Sequence, residues 1–371
     1  MRHWRWIAVL MLATGLASCG TPTPTTAIGT TAPAASTQTA ATSMAEATAT
    51  SAAAPSAVGA PEVRQVSVRF QWLAQYQFAG YIVAKVKGYY SDAGLDVTLN
   101  PGGPDAPSLK LVAGGADTFG AIGPDTIFLS QEKGIKVISL ATWFQDSPVA
   151  FMVHSDSNIN GPKDFPGKTV AMFYGDNVET EYRAMLAAAG VDRKQIKEIP
   201  GDVNLEPFLS KRVDVWPVYA TDEPDLARKQ GASIRLIYAR DSGARLMGDT
   251  LFSTSDFVSK NPNTVQNFVS ATIRGWEYAA NHLDETVQLI AAYNKQLDVS
   301  HLHYEGSETI KLLRAGVGTT CIGLNDPQAW SAEQKTLTDL GLLKSNVPLE
   351  SAFTNDFVHA YYQHNGISCP A

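Results

Sequence analysis

The chain has 371 residues and a formal net charge of −7, and it is 44% hydrophobic but only 18% charged. Its length exceeds that of a typical single domain, so the chain is expected to fold as more than one compact unit. A mean hydropathy of −0.09 excludes a polytopic membrane protein. The acidic balance argues against a general nucleic-acid-binding protein, which would be basic, and no nucleic-acid partner is predicted. Three cysteines are too few for a disulfide-dense scaffold or a cysteine-rich zinc module.

Residues 1–18 have the pattern of a secretory signal. The basic residues Arg2, His3 and Arg5 precede an apolar run, Ile7–Ala17, that is too short to cross a bilayer. The run ends in Leu16-Ala17-Ser18-Cys19, which resembles a bacterial lipobox. That resemblance implies that Cys19 is diacylated and becomes the new N-terminus. An ordinary secretory signal followed by a coincidental cysteine is the alternative.

Residues 20–61 have a biased composition, since 34 of these 42 residues are Ala, Thr, Pro or Ser and the only charged one is Glu46. Such a segment cannot bury enough apolar area to offset its ordering entropy. Residues 19–61 are therefore predicted to be a lipidated cysteine and a disordered tether. The protein is expected on the extracytoplasmic face of the cell membrane, anchored to the membrane rather than spanning it.

The two remaining cysteines, Cys321 and Cys369, are candidates for a disulfide. Disulfides persist in the compartments outside the cytoplasm. A bridge between these residues would join the C-terminal tail to the body of the protein. Two free buried thiols are the alternative.

Strand-like and helix-like patterns alternate from residue 62 onward. Up to residue 140 the order is β-α-β-α-β, which predicts a mainly parallel α/β sheet. The predicted elements are strands at Val66–Phe70, Asp96–Asn100 and Val137–Leu140, and helices at Phe78–Val86 and Ser108–Val112.

The α/β pattern restarts near residue 162 and becomes helical after about residue 255. The later predicted elements are strands at Lys168–Phe173, Val213–Val218 and Ile234–Tyr238, and helices at Val178–Ala189, Pro262–Ala280, Asp284–Ala292, Ser307–Ala315 and Ser331–Leu340. Two α/β lobes are the simplest account. Residues 62–151 and 253–371 are predicted to form lobe 1, and residues 152–252 to form lobe 2.

Aromatic, amide and carboxylate residues recur after the predicted strands, where open α/β sheets bind ligands. The predicted ligand-binding residues are Trp72, Gln77, Phe78, Tyr81, Gly102, Gly103, Asp125, Trp143, Tyr174, Trp216, Tyr219 and Glu223. Aromatic faces suit a flat, conjugated ligand. The rings of Trp72, Tyr174 and Trp216 are expected to stack on it, although core packing is the alternative for each ring taken alone.

The polar members of this set have complementary predicted roles. Gln77, Asp125 and Glu223 carry amide or carboxyl groups that can hydrogen-bond the N–H and carbonyl groups of a heterocycle. Gly102 and Gly103 would allow a ligand to approach the backbone closely.

No catalytic residue, metal site or cofactor is predicted, because HExxH, paired CxxC and GxSxG motifs are absent. His301, His303 and Glu305 alternate and would share one face of a strand, but a solvated loop is favoured over a metal site. Asp176 and Glu179 are interpreted as surface acids at a helix start. The segment at residues 161–169 has five residues between its glycines where a P-loop has four, and it is interpreted as a loop.

Several segments are similar to one known family, the ABC-transporter solute-binding proteins related to thiamine-pyrimidine synthase and to sulfonate and nitrate binders. The resemblance covers roughly residues 66–295 and lies in Phe70–Trp72, Phe78–Ala84, Lys87–Tyr90, Gly94–Val97, Gly114–Gly120, Asp164–Val170, Asn261–Pro262 and Gly275–Ala279. It implies a type II periplasmic-binding-protein fold, whose two lobes close on a small ligand in the cleft between them. It also implies delivery of that ligand to a separate ABC permease and ATPase.

The departures from the family pattern narrow this expectation. The synthases carry a catalytic histidine where this chain has Phe78, and a cysteine-rich iron motif that this chain lacks, so a binding protein is expected rather than an enzyme. The segments Gln77–Tyr81, Tyr89–Tyr90 and Asn100–Asp105 are most similar to the riboflavin-binding components of riboflavin importers. This implies riboflavin as the ligand. A thiamine-type pyrimidine precursor or another small heterocycle is the alternative ligand. The alternatives of another class are a thiamine-pyrimidine-synthase-like enzyme, which Phe78 argues against, and a sensor or surface-interaction protein that does not take part in transport.

Overall fold

The computed structural model describes residues 59–370. The signal-like segment, Cys19 and nearly all of the predicted tether lie outside the described residues. The body begins at Glu62, whose carboxylate accepts hydrogen bonds from the backbone N–H groups of Asn263 and Thr264. No helix within residues 59–370 combines the length and apolar character needed to cross a membrane.

Ten strands within residues 59–370 form two five-stranded sheets. The strands are β1 Gln65–Arg69, β2 Asp96–Asn100, β3 Phe119–Ile122, β4 Val137–Thr142, β5 Val149–His154, β6 Thr169–Met172, β7 Lys197–Pro200, β8 Val215–Tyr219, β9 Ile234–Ile237 and β10 Thr250–Thr254. The first sheet has the order β2-β1-β3-β10-β4 and the second β7-β6-β8-β5-β9. We call the first sheet with its helices lobe 1 and the second lobe 2. The predicted two-lobed α/β fold is confirmed.

Fourteen α-helices in the same part of the chain cover the sheets. They are α1 Ala79–Val86, α2 Tyr89–Asp92, α3 Ser108–Ala113, α4 Pro124–Glu132, α5 Asn177–Ala189, α6 Glu206–Leu209, α7 Glu223–Lys229, α8 Ser255–Lys260, α9 Pro262–Asn281, α10 Leu283–Tyr293, α11 Val299–Leu313, α12 Pro327–Asp339, α13 Leu349–Ala352 and α14 Asp356–His364. The longest, α9, buries Val265, Phe268 and Trp276 at helical spacing in the core of lobe 1.

Four of the five strands in each sheet run in the same direction, so the prediction of a mainly parallel sheet is confirmed, but each sheet also contains one antiparallel strand that was not predicted. In lobe 1, β1 pairs in parallel with β2 and β3, whereas β10 pairs antiparallel with β3 and β4. In lobe 2, β6 pairs in parallel with β7 and β8, whereas β5 pairs antiparallel with β8 and β9. The antiparallel strands β5 and β10 lie where the sequence predicted that the chain crosses between lobes. Both begin three residues before the predicted boundaries, at Val149 and Thr250.

The segment that contains His301 and His303 is helical, not a loop or a strand. Helix α11 begins at Val299, eight residues before the predicted helix, because the Asp298 side chain accepts a hydrogen bond from the His301 N–H and caps the first turn. His301 and Glu305 are one turn apart and both are buried. Within the described chain, no group of three or more His, Cys, Asp or Glu side chains is arranged to hold a metal ion.

A disulfide joins Cys321 to Cys369, the pair named as candidates from the sequence, with 5.7 Å between their Cα atoms. Cys321 is buried in the core of lobe 1. The bridge ties the segment after α14 to that core.

Candidate functional site

Two adjoining cavities lie between the lobes. The larger has a volume of about 280 Å³ and the smaller about 30 Å³, and both are lined by Gln71, Trp72, Phe173 and Asp176. The larger one is close to the lower end of the range of roughly 300–1,000 Å³ that is typical of small-molecule sites. We call the two cavities together the cleft.

Strand topology explains why the lining residues come together. The runs β2-β1-β3 and β7-β6-β8 are parallel, so within each run the carboxyl ends lie at one edge of the sheet. The cleft residues follow these ends. Examples are Gln71 and Trp72 after β1, Gly103 after β2, Thr126 after β3, Phe173 and Asp176 after β6, Gly201 after β7, and Asp222 and Glu223 after β8.

Aromatic rings from both lobes line the cleft. Trp72 of lobe 1 meets Phe173 of lobe 2 edge to face, with ring centroids 5.3 Å apart and an interplanar angle of 79°. Tyr174 lines the larger cavity and is 53% exposed. Ring surface of Trp72 and Tyr174 is thus accessible to a flat molecule in the larger cavity.

A polar network centred on Tyr219 spans the lobes behind these rings. The Tyr219 hydroxyl accepts hydrogen bonds from the amides of Gln71 (2.6 Å) and Asn177 (2.9 Å) and donates one to Asp249 Oδ1 (2.9 Å). Gln77 Nε2 donates to Asp249 Oδ2 at 2.7 Å. Burial raises the pKa of Asp249 to about 6, although the hydrogen bonds from Gln77 and Tyr219 oppose the rise.

Carboxyl groups occupy the lobe 2 side of the cleft. Asp176 caps α5, and burial together with the charge of Asp125 raises its pKa to about 7. Glu223 Oε2 accepts a hydrogen bond from the Tyr219 N–H at 2.8 Å. Burial and the neighbouring charge of Asp222 raise the pKa of Glu223 well above its usual value. The carboxyl oxygens on this side of the cleft can accept hydrogen bonds from a ligand.

A second group of contacts between the lobes adjoins the smaller cavity. Asp222 lines that cavity and accepts hydrogen bonds from Gln75 Nε2 (2.7 Å) and His301 Nε2 (2.8 Å). His301 Nδ1 lies 2.8 Å from Asp225 Oδ2. We call Gln75, Asp222, Asp225 and His301 the clasp, because Gln75 and His301 belong to lobe 1 and the two aspartates to lobe 2.

Half of the predicted ligand-binding residues line the cleft. Those that do are Trp72, Gln77, Gly103, Tyr174, Tyr219 and Glu223. Those that do not are Phe78, Tyr81, Gly102, Asp125, Trp143 and Trp216. Their role as ligand contacts is corrected here.

Three of these six are core aromatics of lobe 1. Phe78 stacks parallel on Phe70 with ring centroids 4.3 Å apart, and Tyr81 accepts a hydrogen bond from Trp143 Nε1 at 2.7 Å. All three rings are at most 1% exposed. Each fills the core rather than the cleft.

The other three residues, Trp216, Gly102 and Asp125, are absent from the lining of the cleft for different reasons. Trp216 lies on β8 and faces the core of lobe 2, because side chains alternate between the two faces of a strand. The N–H of Gly102 donates to the Trp72 carbonyl, and a Cβ there would lie 2.0 Å from the Phe70 carbonyl oxygen, so its close neighbour is the chain itself. Asp125 is buried in the first turn of α4, and burial raises its pKa.

Several residues that line the cleft are not among the predicted ligand-binding residues. The sequence pattern predicts Phe173 as the last residue of a strand, but β6 ends at Met172, so Phe173 is the first residue beyond it. The helix-start pattern predicts Asp176 to be a surface acid, whereas it lines both cavities. Gln71, Asn177 and Asp222 were also missed. The feature of the sequence that could have identified them is a polar residue close to the carboxyl end of a strand.

Comparison with known proteins gives the family. The model of the family described as "NMT1/THI5 like" matches residues 75–286, which is more than half of the chain. The chain belongs to the NMT1/THI5-like family. Its similarity to riboflavin-binding protein RibY of Chloroflexus aurantiacus is 25% identity and covers 95% of this chain and 96% of that protein.

Other relatives of this NMT1/THI5-like protein have different names. It is 24% identical to a formylaminopyrimidine-binding protein of Halalkalibacterium halodurans over 78% of this chain and 89% of that protein. It is 19% identical to a 4-amino-5-hydroxymethyl-2-methylpyrimidine phosphate synthase of Legionella pneumophila over 79% of this chain and 92% of that protein.

Solved structures share the fold. The nitrate-binding protein NrtA of Synechocystis has a TM-score of 0.61 at 15% identity, covering 82% of this chain and 90% of that chain. The alkanesulfonate-binding protein SsuA of Xanthomonas axonopodis, bound to MOPS, has a TM-score of 0.60 at 17% identity, covering 79% and 99%.

Proposed function

We propose that this NMT1/THI5-like protein is the solute-binding component of an ABC importer and that it captures riboflavin for delivery to the permease. The observation that carries the proposal is the aromatic cleft between the two lobes. Lobe 1 contributes Trp72 to this cleft, and lobe 2 contributes Phe173 and Tyr174. Riboflavin combines a flat three-ring system with a hydroxylated tail, and the cleft offers ring faces next to amide and carboxyl groups. The similarity to RibY over nearly the whole of both chains supports the same ligand.

The residues of the cleft have distinct roles in this proposal. Trp72 and Tyr174 stack on the ring system, and the amide of Asn177 and the carboxyl of Glu223 hydrogen-bond its polar groups. Gly103, with φ of +125° and no neighbour within 4 Å of a Cβ position, lets the ligand approach the backbone.

We propose binding without turnover. The position at which the synthases of this family resemblance carry a histidine is occupied by Phe78, a buried ring stacked on Phe70 that has no acid–base group. The clasp histidine, His301, has each of its two ring nitrogens within hydrogen-bond distance of an aspartate carboxylate. Tight binding and release to a permease require no proton transfer to the ligand.

Membrane attachment through Cys19 is part of the proposal. Diacylation would fix the receptor to the extracytoplasmic face of the membrane, with the Ala/Thr/Pro/Ser-rich segment as a tether. Cells that express the wild-type protein should incorporate labelled palmitate into it, and the Cys19→Ala variant should not. Label that persists in Cys19→Ala would overturn the anchoring proposal.

Titration of the purified full-length protein with riboflavin tests the ligand. Stacking between aromatic rings should quench flavin emission in a saturable way with one site per chain. The second candidate ligand is a formylaminopyrimidine, which is favoured by the relative of that name and by the modest volume of the larger cavity. A thermal shift with the pyrimidine and none with riboflavin would move the assignment to the pyrimidine. No binding of either compound would overturn the proposed function.

A further inference from the structure

The charge of the cleft restricts the ligands that it can hold. Among the described residues that line the two cavities there is no Lys, Arg or His, whereas Asp176, Asp222 and Glu223 are all present. An anionic group in this cleft would face carboxyl groups with no cation to balance it. Desolvation makes such an arrangement costly.

The arginines close to the lining are already paired. Arg69, at the end of β1, donates to Asp117 Oδ2 (2.8 Å) and to the Pro101 carbonyl (2.6 Å). Arg193 is bidentate to Glu198 and also binds Glu179. Recruiting either one for a ligand would break a formed ion pair.

The helix that begins in the cleft is capped by its own carboxylate. Asp176 Oδ1 accepts hydrogen bonds from the N–H groups of Val178 (3.0 Å) and Glu179 (3.4 Å) at the start of α5. Free N–H groups at such an end would attract an anionic ligand. Here the donors are occupied, and the residue that occupies them also lines both cavities.

We infer that the cleft accepts the uncharged, hydroxylated form of a heteroaromatic solute and rejects its phosphate ester, with Asp176 as a main determinant of that choice. This inference rests on the proposed function, because it specifies the ligand of the same site. A phosphate group carries up to two negative charges. We expect the protein to bind the ester at least about 100-fold more weakly than the alcohol, since like charges in close contact cost several kcal/mol.

Paired ligands test the inference with the full-length protein at pH 8. The pairs are riboflavin with riboflavin 5′-phosphate, and hydroxymethylpyrimidine with its phosphate. Discrimination of about 100-fold or more within a pair supports the inference. If a pair binds with equal affinity, the inference is overturned while the proposed function stands. If neither alcohol binds, the proposed function fails, and the inference fails with it.

Substitutions separate the effect of charge from that of shape. Asp176→Asn keeps a good helix cap and should narrow the discrimination by roughly tenfold, because one ionisable group leaves the cleft. Asp326→Asn is the matched control. Asp326 caps α12 in the same way, by accepting a hydrogen bond from the Gln328 N–H at 2.9 Å, but does not line the cleft. The role of Asp176 would be overturned if Asp176→Asn left the ratio of the affinities for the alcohol and its phosphate ester unchanged. It would also be overturned if Asp326→Asn changed that ratio equally.

Ionic strength provides a further readout. Salt screens repulsion between charges. Raising the salt concentration should therefore improve the affinity for riboflavin 5′-phosphate and leave the affinity for riboflavin nearly unchanged. Rejection that is independent of salt would indicate steric exclusion and would overturn the electrostatic explanation.

Discussion

The Tyr219 hydroxyl links the two lobes at the cleft through hydrogen bonds to three side chains. It accepts from Gln71 of lobe 1 and Asn177 of lobe 2, and it donates to Asp249 just before β10. All of these groups are buried or partly buried. Removing the hydroxyl would therefore leave buried donors and an acceptor without this partner, which costs more than a hydrogen bond contributes.

Tyr219→Phe should lower the free energy of unfolding by roughly 1–3 kcal/mol. Urea unfolding followed by tryptophan fluorescence measures the change. Tyr293→Phe is the control, because Tyr293 is 42% exposed on α10 and lies outside this network. Equal stabilities of the two variants would show that the network contributes nothing.

Trp72 and its neighbour Leu73 provide a matched pair for ligand binding. Trp72→Ala should weaken riboflavin binding by roughly 1–3 kcal/mol if the ring stacks on the ligand. Leu73 is 43% exposed and does not line the cavities, so Leu73→Ala should bind as the wild type does. Unchanged affinity in a folded Trp72→Ala variant would remove Trp72 from the site.

The sequence predicts only some of the residues that line the cleft, because it gives a residue's position relative to a strand but not the direction of its side chain. A position at or just beyond a strand end predicts the lining of the cleft for Trp72, Tyr174 and Tyr219. That signal carries no information on which way a ring points. Phe78 follows Gln77 directly in the chain, and Tyr81 lies one helical turn further on, but both rings are buried in the core of lobe 1.

At the scale of elements, helices α1 and α9 cross so closely that glycine is required on both. A Cβ on Gly275 would lie 1.9 Å from the Gly80 carbonyl oxygen, and a Cβ on Gly80 would lie 2.3 Å from the Trp276 ring. The Gly80 backbone leaves no room for a Cβ on Gly275, and the Trp276 ring leaves none for a Cβ on Gly80. This contact places α1, and with it the preceding turn that carries Gln77, against the longest helix of lobe 1.

Gly275→Ala should destabilise the protein by at least about 1–3 kcal/mol, because the helices must separate to admit the methyl group. Thermal unfolding measures the loss. Gly161→Ala is the control, since Gly161 has an extended backbone and open space around its Cβ position. A Gly275→Ala variant that unfolds at the wild-type temperature would contradict the close approach.

The sequence predicted most elements but not the antiparallel strands. The patterns at β1, β2, α5 and α9 were clear because each has a strong period and a recognisable end. Strand β5 is buried on both faces, so it shows no alternation that would identify it as a strand. The pairing of β5 and β10 with strands far away in the sequence depends on tertiary structure, which local periodicity does not encode.

For the whole molecule, the clasp links the two lobes through a buried ionic group. His301 has a carboxylate oxygen 2.8 Å from each ring nitrogen, from Asp222 and from Asp225. Only the protonated ring donates from both nitrogens. Lys229 of lobe 2 reinforces the contact through Asp298 of lobe 1 at 2.9 Å.

The proton on His301 should make this arrangement of the lobes pH-dependent. Burial alone would lower the pKa of His301, but the hydrogen bonds to Asp222 and Asp225 outweigh it and raise that pKa to about 9. Because the folded-state pKa lies above the ordinary value near 6.5, the stabilisation is fully present below pH 6.5. It is lost as the pH rises through about 9.

The wild-type protein should therefore lose stability between pH 7 and pH 10, and His301→Gln should lose much less over the same interval. At pH 7 the variant should already be less stable than the wild type, since glutamine carries no charge to place between two carboxylates. Urea unfolding at both pH values measures the difference. His303→Gln is the matched control, because His303 pairs with the exposed Asp284 of the same lobe. If His301→Gln and the wild type lose stability equally between pH 7 and pH 10, the clasp is not the source of the pH dependence.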